Sequence, residues 1–133
     1  MTPVLSALFV SVALAAKPPA ALTTALDDFT QGAASRDTER VARALHPEAR
    51  QYVAMPDGLQ VMDTASYLKL LSDGVIGGTP TTRTTHDVEI KGTQALVHQT
   101  RDIGAMKLHD AATLIQADGR WQIVSVAVSV EKD

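Results

Sequence analysis

The chain of 133 residues contains no cysteine and few aromatic residues, and neither sign of charge is in large excess. The lack of cysteine excludes disulfides, thiolate catalysis, zinc sites built on thiolates and a lipoprotein anchor. Twelve Lys and Arg residues against 15 Asp and Glu residues argue against nucleic-acid binding, because displacing counterions from phosphate needs an excess of cations. An aromatic fraction of 4% is low for a protein that stacks its side chains on sugars or bases.

An apolar fraction of 45% and a charged fraction of 20% are typical of one globular domain. The first apolar run, Val4–Ala16, is uncharged, short for a membrane span and within the range of a signal-peptide core. It ends in an A-x-A cleavage pattern, although no Lys or Arg precedes it. We therefore predict a signal peptide over residues 1–16, one domain over residues 17–133, no membrane span after cleavage, and export to the periplasm or medium of a bacterium. The alternative is a buried first helix.

The first half of this domain predicts three helices. Apolar residues recur at spacings of four and three on one face of Ala20–Ala34, and they are Leu22, Leu26, Phe29 and Ala33. Two shorter helices are expected over Thr38–Leu45, which Pro47 ends, and over Ala65–Leu71. Short polar side chains precede both and predict their N-caps: Asp37 for the former, and Asp63 or Thr64 for the latter.

The second half predicts strands. Two short strands, Gln51–Ala54 and Leu59–Met62, flank the turn at residues 56–58, and a glycine-rich loop covers Asp73–Pro80. Longer strands follow without an intervening helix, and they include Val88–Ile90, Ala95–Arg101, Lys107–Gln116 and Trp121–Val130. Helices followed by a strand meander indicate an α+β fold with the helices on one face of an antiparallel sheet.

Two motifs resemble a known family. One is Leu45-His46-Pro47-Glu48-Ala49, and the other runs from Asp110 to Val124 and ends Asp-Gly-Arg-Trp-Gln-Ile-Val. Both are similar to the nuclear transport factor 2-like superfamily, in particular to its "putative lumazine-binding" group near the SnoaL-like cyclases and ketosteroid isomerases. The resemblance covers Ala21–Val130. It implies a cone-shaped α+β barrel in which a curved antiparallel sheet wraps around the N-terminal helices, with a pocket between them and frequent dimerisation through the outer face.

The chain departs from two features of these relatives. The first predicted helix has no tyrosine, and Phe29 is its only aromatic residue. The oxyanion donor that ketosteroid isomerases use is therefore missing, which weakens the prediction of such an activity. Ala111 also stands after Asp110, where many relatives have an aromatic residue. This substitution opens space in the pocket that the family implies.

Three residues are predicted to bind a ligand, each with a structural alternative. His46 is an acid or base at the pocket mouth, or a cap on the end of a helix. Asp110 is a pocket carboxylate acting as a general base, or an anchor paired with Arg101 or Arg83. Tyr52 donates a hydrogen bond to a ligand, or is an ordinary half-buried strand residue. His46 and Asp110 are therefore also the catalytic candidates.

His98 is the fourth predicted ligand-binding residue, and its surroundings depend on strand register. A turn at residues 103–104 would set His98 opposite His109, a pair able to ligate a metal. A turn at residues 104–105 would set Thr100 opposite His109 and leave both histidines on a solvated face. We expect neither a metal site nor a cofactor.

The predicted function is non-catalytic binding of a small apolar or amphipathic molecule by an exported pocket domain. A cyclase, isomerase or dehydratase that uses a pocket Asp, His or Tyr is the first alternative, and a protein-interaction module with a filled interior is the second. In the last strand, Val124, Val126, Val128 and Val130 alternate with the small Ser125, Ala127 and Ser129. If the small-residue face points outward, it is flat enough to form a homodimer.

Overall fold

The computed structural model describes residues 18–132, so the predicted signal peptide lies outside the described residues. Helices occupy α1 (Ala20–Ser35), α2 (Thr38–Ala44) and α3 (Thr64–Ser72). Strands occupy β1 (Leu45–Met55), β2 (Gly58–Asp63), β3 (Thr82–Lys91), β4 (Gln94–Ile103), β5 (Met106–Ala117) and β6 (Arg120–Lys132). Within this part of the chain, no helix is long and apolar enough to cross a membrane.

The helices follow the predicted local signals. The four predicted core residues of α1 are buried, and Phe29 is 1% exposed. Asp37 caps α2 by accepting a hydrogen bond from the Arg40 N–H, and Asp63 caps α3 by accepting one from the Ser66 N–H. Both predicted caps are confirmed, with Asp63 taking the role that was left open.

The second helix is shorter than predicted, and the strand after it is longer. α2 ends at Ala44, and Leu45 already pairs with Ile123 of β6. The register shifts between Leu45 and Arg50, so Pro47 lies where the strand ladder is irregular. A proline is accommodated there because its missing N–H removes no ladder hydrogen bond. The proline therefore marks a distorted strand as well as the end of a helix.

The six strands form one curved, unclosed sheet in the order β2-β1-β6-β5-β4-β3. The predicted α+β class with helices against the sheet is confirmed. Four neighbouring pairs are antiparallel, but β1 and β6 are parallel, which corrects the expectation of a wholly antiparallel sheet. A parallel pair needs a long connection, and α3 together with four strands supplies one.

The inner face of the sheet packs on the helices, with Trp121, Leu114 and Ile123 buried. The predicted all-valine face of β6 is wrong at one position. The β5–β6 register shifts between Thr113 and Leu114, so Val124 is the extra residue of a bulge. Beyond the bulge the predicted alternation holds, with valines inward and small residues on the outer face: Ser125, Ala127 and Ser129.

Candidate functional site

A cavity of about 400 Å³ lies between the helices and the inner face of the sheet. Its volume is within the range of small-ligand sites, which are typically apolar with a few placed polar groups. Most of its wall is apolar, and the contributing side chains include Val53, Met62, Ile76, Met106, Leu108 and Val128. Such a wall favours an apolar or amphipathic molecule.

Six polar side chains also line this cavity. Four come from helices and strands, namely Thr30 of α1, Gln51 of β1, Tyr67 of α3 and Arg101 of β4, and the other two are Thr79 and Thr81, which precede β3. The Thr30 Oγ1 and Gln51 Nε2 atoms are buried and have no hydrogen-bond partner among the described residues. An unsatisfied buried polar group destabilises a fold by about 1–3 kcal/mol. Two such groups on one cavity therefore call for an explanation, and a bound molecule that accepts hydrogen bonds supplies one.

Arg101 is held at the cavity by a buried ion pair with Asp110 on the neighbouring strand. Arg101 Nε lies 2.6 Å from Asp110 Oδ2, and Arg101 Nη2 lies 2.8 Å from Oδ1. Gln99 donates a third hydrogen bond to the same carboxylate at 2.8 Å, and the guanidinium carbon lies 5.0 Å from the centre of the Phe29 ring. Asp110 thus engages two of the three guanidinium nitrogens and leaves Nη1 unused by the carboxylate.

The charges of this pair also affect the neighbouring hydroxyl group. Burial by itself would lower the pKa of Arg101, but the Asp110 carboxylate and the Tyr67 hydroxyl group together outweigh burial and raise it. Burial raises the pKa of Tyr67, with Arg101 opposing and Asp110 adding to the shift. The Tyr67 phenol is therefore protonated at neutral pH and is a hydrogen-bond donor.

The glycine-rich loop forms one side of the cavity. Val75, Ile76, Gly77 and Thr79 line it, and Val75 is 66% exposed. This loop, residues 73–80, forms a solvent-exposed part of the wall.

Arg36 ties the loop to the end of α1. Its guanidinium donates hydrogen bonds to the carbonyls of Gly74, Ile76 and Gly77 at 3.0–3.1 Å. Gly77 passes so close to α1 that an added Cβ would lie 2.5 Å from the Ala33 carbonyl oxygen. The loop is therefore held to the end of α1 by the Arg36 side chain and by the close approach of Gly77.

None of the four predicted ligand-binding residues lines this cavity. Tyr52 lies on the outer face and is 37% exposed, and His98 is also on that face. His46 is the second residue of β1, after the end of α2, and its Nδ1 accepts a hydrogen bond from the Glu48 N–H at 3.0 Å. Asp110 faces inward but lies behind Arg101 and matches its predicted anchoring role. The ligand-binding roles of these residues remain predictions.

Polar residues at inward-facing strand positions are the sequence signal that marks the cavity. Inward positions on β1 and β4 are mostly small or apolar, so a polar residue in the same alternation is unusual. Gln51 interrupts the pattern in β1, and Gln99 and Arg101 interrupt it in β4. Tyr52, the predicted ligand-binding residue, lies on the opposite face from its neighbour Gln51, because adjacent strand residues point to opposite sides of the sheet.

The outer face carries the histidines. Thr100 pairs with His109, and His98 pairs with Ala111, so the register with the turn at residues 104–105 is the observed one. His109 Nε2 lies 2.7 Å from Glu131 Oε1, and this hydrogen bond lowers the pKa of Glu131. Residues 18–132 contain no group of three or more His, Asp or Glu side chains arranged to hold a metal ion.

A family model described as "Putative lumazine-binding" matches residues 17–127. The chain belongs to this family. This match confirms the family resemblance that the two sequence motifs predicted. None of the curated proteins compared with the chain matches it.

Solved structures of nuclear transport factor 2-like proteins share the fold. A protein of unknown function from Shewanella baltica is 20% identical with a TM-score of 0.75, covering 85% of this chain and 93% of its own. One from Silicibacter pomeroyi, also of unknown function, is 20% identical with a TM-score of 0.76, covering 84% and 94%. A third from Cytophaga hutchinsonii is 13% identical with a TM-score of 0.74, covering 83% and 95%. At these sequence identities the three structures show that the protein shares their fold and show nothing about its function.

Proposed function

We propose that this protein binds a small apolar or amphipathic molecule, without transforming it, in the cavity between the helices and the sheet. The observation that carries the proposal is the presence of two unpartnered buried polar atoms, Thr30 Oγ1 and Gln51 Nε2, on a largely apolar cavity wall. The description of the family also supports a small-molecule ligand.

Binding without turnover is favoured by the position of Asp110. Its carboxylate accepts two hydrogen bonds from Arg101 and one from Gln99, and its side chain is fully buried. A general base must reach the proton that it removes, and Arg101 stands between this carboxylate and the cavity. The interaction-module alternative expected a filled interior, whereas the described residues surround a cavity.

A pair of matched substitutions tests the proposal. Val53→Phe adds a ring to the cavity wall, and Val61→Phe makes the same change at a residue that is 53% exposed on β2. Calorimetric titration with naphthalene, 2-acetylnaphthalene and lumazine as probes should show binding to the wild-type protein and to Val61→Phe, with at least a tenfold loss in Val53→Phe. Unchanged binding by a folded Val53→Phe protein would refute the cavity as the site.

The outer face supports a second proposal, that two copies of the chain associate through the sheet. Its centre consists of small residues, Ala111 and Ala127 paired across β5 and β6, beside the exposed side chains of Tyr52 and Leu59. Exposed apolar surface of this kind is typical of interfaces. The face also carries Lys107 and Glu131 at paired positions, so a two-fold arrangement can set opposite charges against each other.

Light scattering coupled to size exclusion tests this association. We expect about twice the mass of one chain for the wild-type protein and the mass of a single chain for Ala127→Arg, which sets a charge at the centre of the face. A wild-type protein that elutes with the mass of one chain at high concentration would refute the dimer.

We also propose that residues 1–16 direct export and are removed. The support is the uncharged apolar run followed by the A-x-A pattern. N-terminal sequencing of the protein recovered from a bacterial periplasmic fraction should begin at about residue 17. Recovery from the cytoplasm with an intact N-terminus would contradict export.

A further inference from the structure

We propose that the cavity selects neutral molecules carrying a carbonyl or amide oxygen and discriminates against carboxylates of the same shape. This inference rests on the proposed function, since it names the chemical class of the ligand for the same site. The inference rests on hydrogen-bond donors that lie beside an ion pair, Arg101 and Asp110, whose charges cancel.

The cavity wall offers several hydrogen-bond donors. The Gln51 Nε2 amide and the Arg101 guanidinium donate and do not accept. Thr30 and the protonated Tyr67 carry hydroxyl hydrogens that can also be donated. Gln51 is 4% exposed and Thr30 is 1% exposed, so bulk solvent does not reach these two groups from outside the cavity. The complementary group on a ligand is an oxygen that accepts more than one hydrogen bond, such as a carbonyl.

The net charge at the cavity decides between a neutral and an anionic acceptor. Arg101 is the only charged residue among the described residues that line the cavity. Its charge is balanced by Asp110 through two contacts, at 2.6 Å and 2.8 Å, between nearly inaccessible side chains. A carboxylate entering this site would lose its hydration and find no net positive charge in return. A ketone or amide makes hydrogen bonds with the same donors at a far smaller desolvation penalty.

Naphthalene and two of its derivatives separate the contributions of apolar contact, hydrogen bonding and charge to the affinity. Naphthalene itself has no acceptor, 2-acetylnaphthalene has a neutral carbonyl, and 2-naphthoate has a carboxylate of nearly the same shape. By calorimetry with the full chain, the ketone should bind about three- to tenfold more tightly than naphthalene, as expected for one or two net hydrogen bonds. The carboxylate should bind at least tenfold more weakly than the ketone.

Substitution of the unpartnered amide identifies the donor. Gln51→Met preserves the length of the side chain and removes the donor, so it should abolish the advantage of the ketone over naphthalene. Because the amide nitrogen has no hydrogen-bond partner among the described residues, this variant should also fold with unchanged or increased stability. Gln60→Met makes the same change at an exposed position and should leave every affinity unaltered.

The outcomes distinguish this inference from the function on which it rests. Binding of 2-naphthoate as tight as that of the ketone would overturn the selection of neutral ligands. Binding of naphthalene with no gain for the ketone would overturn the role of the donors, while the proposed function would stand. Failure of all three probes to bind would count against the cavity as a binding site and therefore against the proposed function itself.

Discussion

Replacing Asp110 with asparagine removes the charge that balances Arg101 while nearly preserving the shape of the side chain. The pair is buried, with side-chain exposures of 0% for Asp110 and 6% for Arg101, and the contacts measure 2.6 Å and 2.8 Å. Unit charges about 4 Å apart interact by about 4 kcal/mol at an effective dielectric constant of about 20. Removing one partner of a buried pair typically destabilises a protein by about 3–5 kcal/mol, in agreement with that estimate. The free energy of unfolding of a small domain is about 5–15 kcal/mol, so the expected loss is a large fraction of its stability.

Urea unfolding followed through Trp121, the single tryptophan, measures the loss. With a denaturant dependence of about 2 kcal/mol per molar for a domain of this size, the midpoint should fall by about 1.5–2.5 M. Asp87→Asn makes the same chemical change at an exposed residue on β3 and should leave the midpoint nearly unchanged.

A double substitution tests whether the loss comes from the unbalanced charge. Arg101→Met combined with Asp110→Leu removes both charges and should recover most of the stability lost in Asp110→Asn. If Asp110→Asn matches Asp87→Asn within about 0.5 kcal/mol, the anchoring role is refuted. Such a result would return the carboxylate to consideration as a general base.

Three further predictions concern the loop and a helix cap. Gly77→Ala and Gly92→Ala both place alanine at positive φ, but Gly77 also has no room for a Cβ, so thermal melts should show a clearly larger loss for Gly77→Ala. Arg36→Ala removes three hydrogen bonds to the loop and should speed amide hydrogen exchange over residues 73–80 without affecting the sheet. Hydrogen bonds from Ser66 lower the pKa of Asp63, so its contribution to stability is present above pH 3.8 and is lost as the pH falls through the lowered value. Asp63→Asn keeps a cap and should remove that acid sensitivity in pH-dependent melts.

Much of the fold could be predicted because its signals are local. The apolar spacing of α1 identified a buried face, and Asp37 and Asp63 identified where two helices begin, since a cap bonds backbone groups only three residues away. The strand meander could be recognised from β-branched runs separated by turns. The motifs around His46 and Asp110 led to the correct superfamily, and with it to a cavity between helices and sheet.

The ligand-binding residues named from the sequence stay predictions, and the cavity residues were not among them because a cavity wall depends on which way each strand residue faces. Tyr52 lies on the outer face and the adjacent Gln51 lines the cavity. The bulge at Val124 likewise reversed the alternation within a run of valines. A strand residue points inward or outward according to register and bulges, and those follow from pairing with distant strands.

The sequence alone determined the class of the fold, the positions of most helices and strands, and the family, since these follow from hydrophobic periodicity, caps and turn residues over short distances. The tertiary structure alone decided that β1 runs parallel to β6, that Arg101 pairs with Asp110, and that Thr30 and Gln51 meet at one cavity without partners. These features join residues from separate elements. Their geometry is set by the curvature and register of the whole sheet against the helices, which no short stretch of sequence contains.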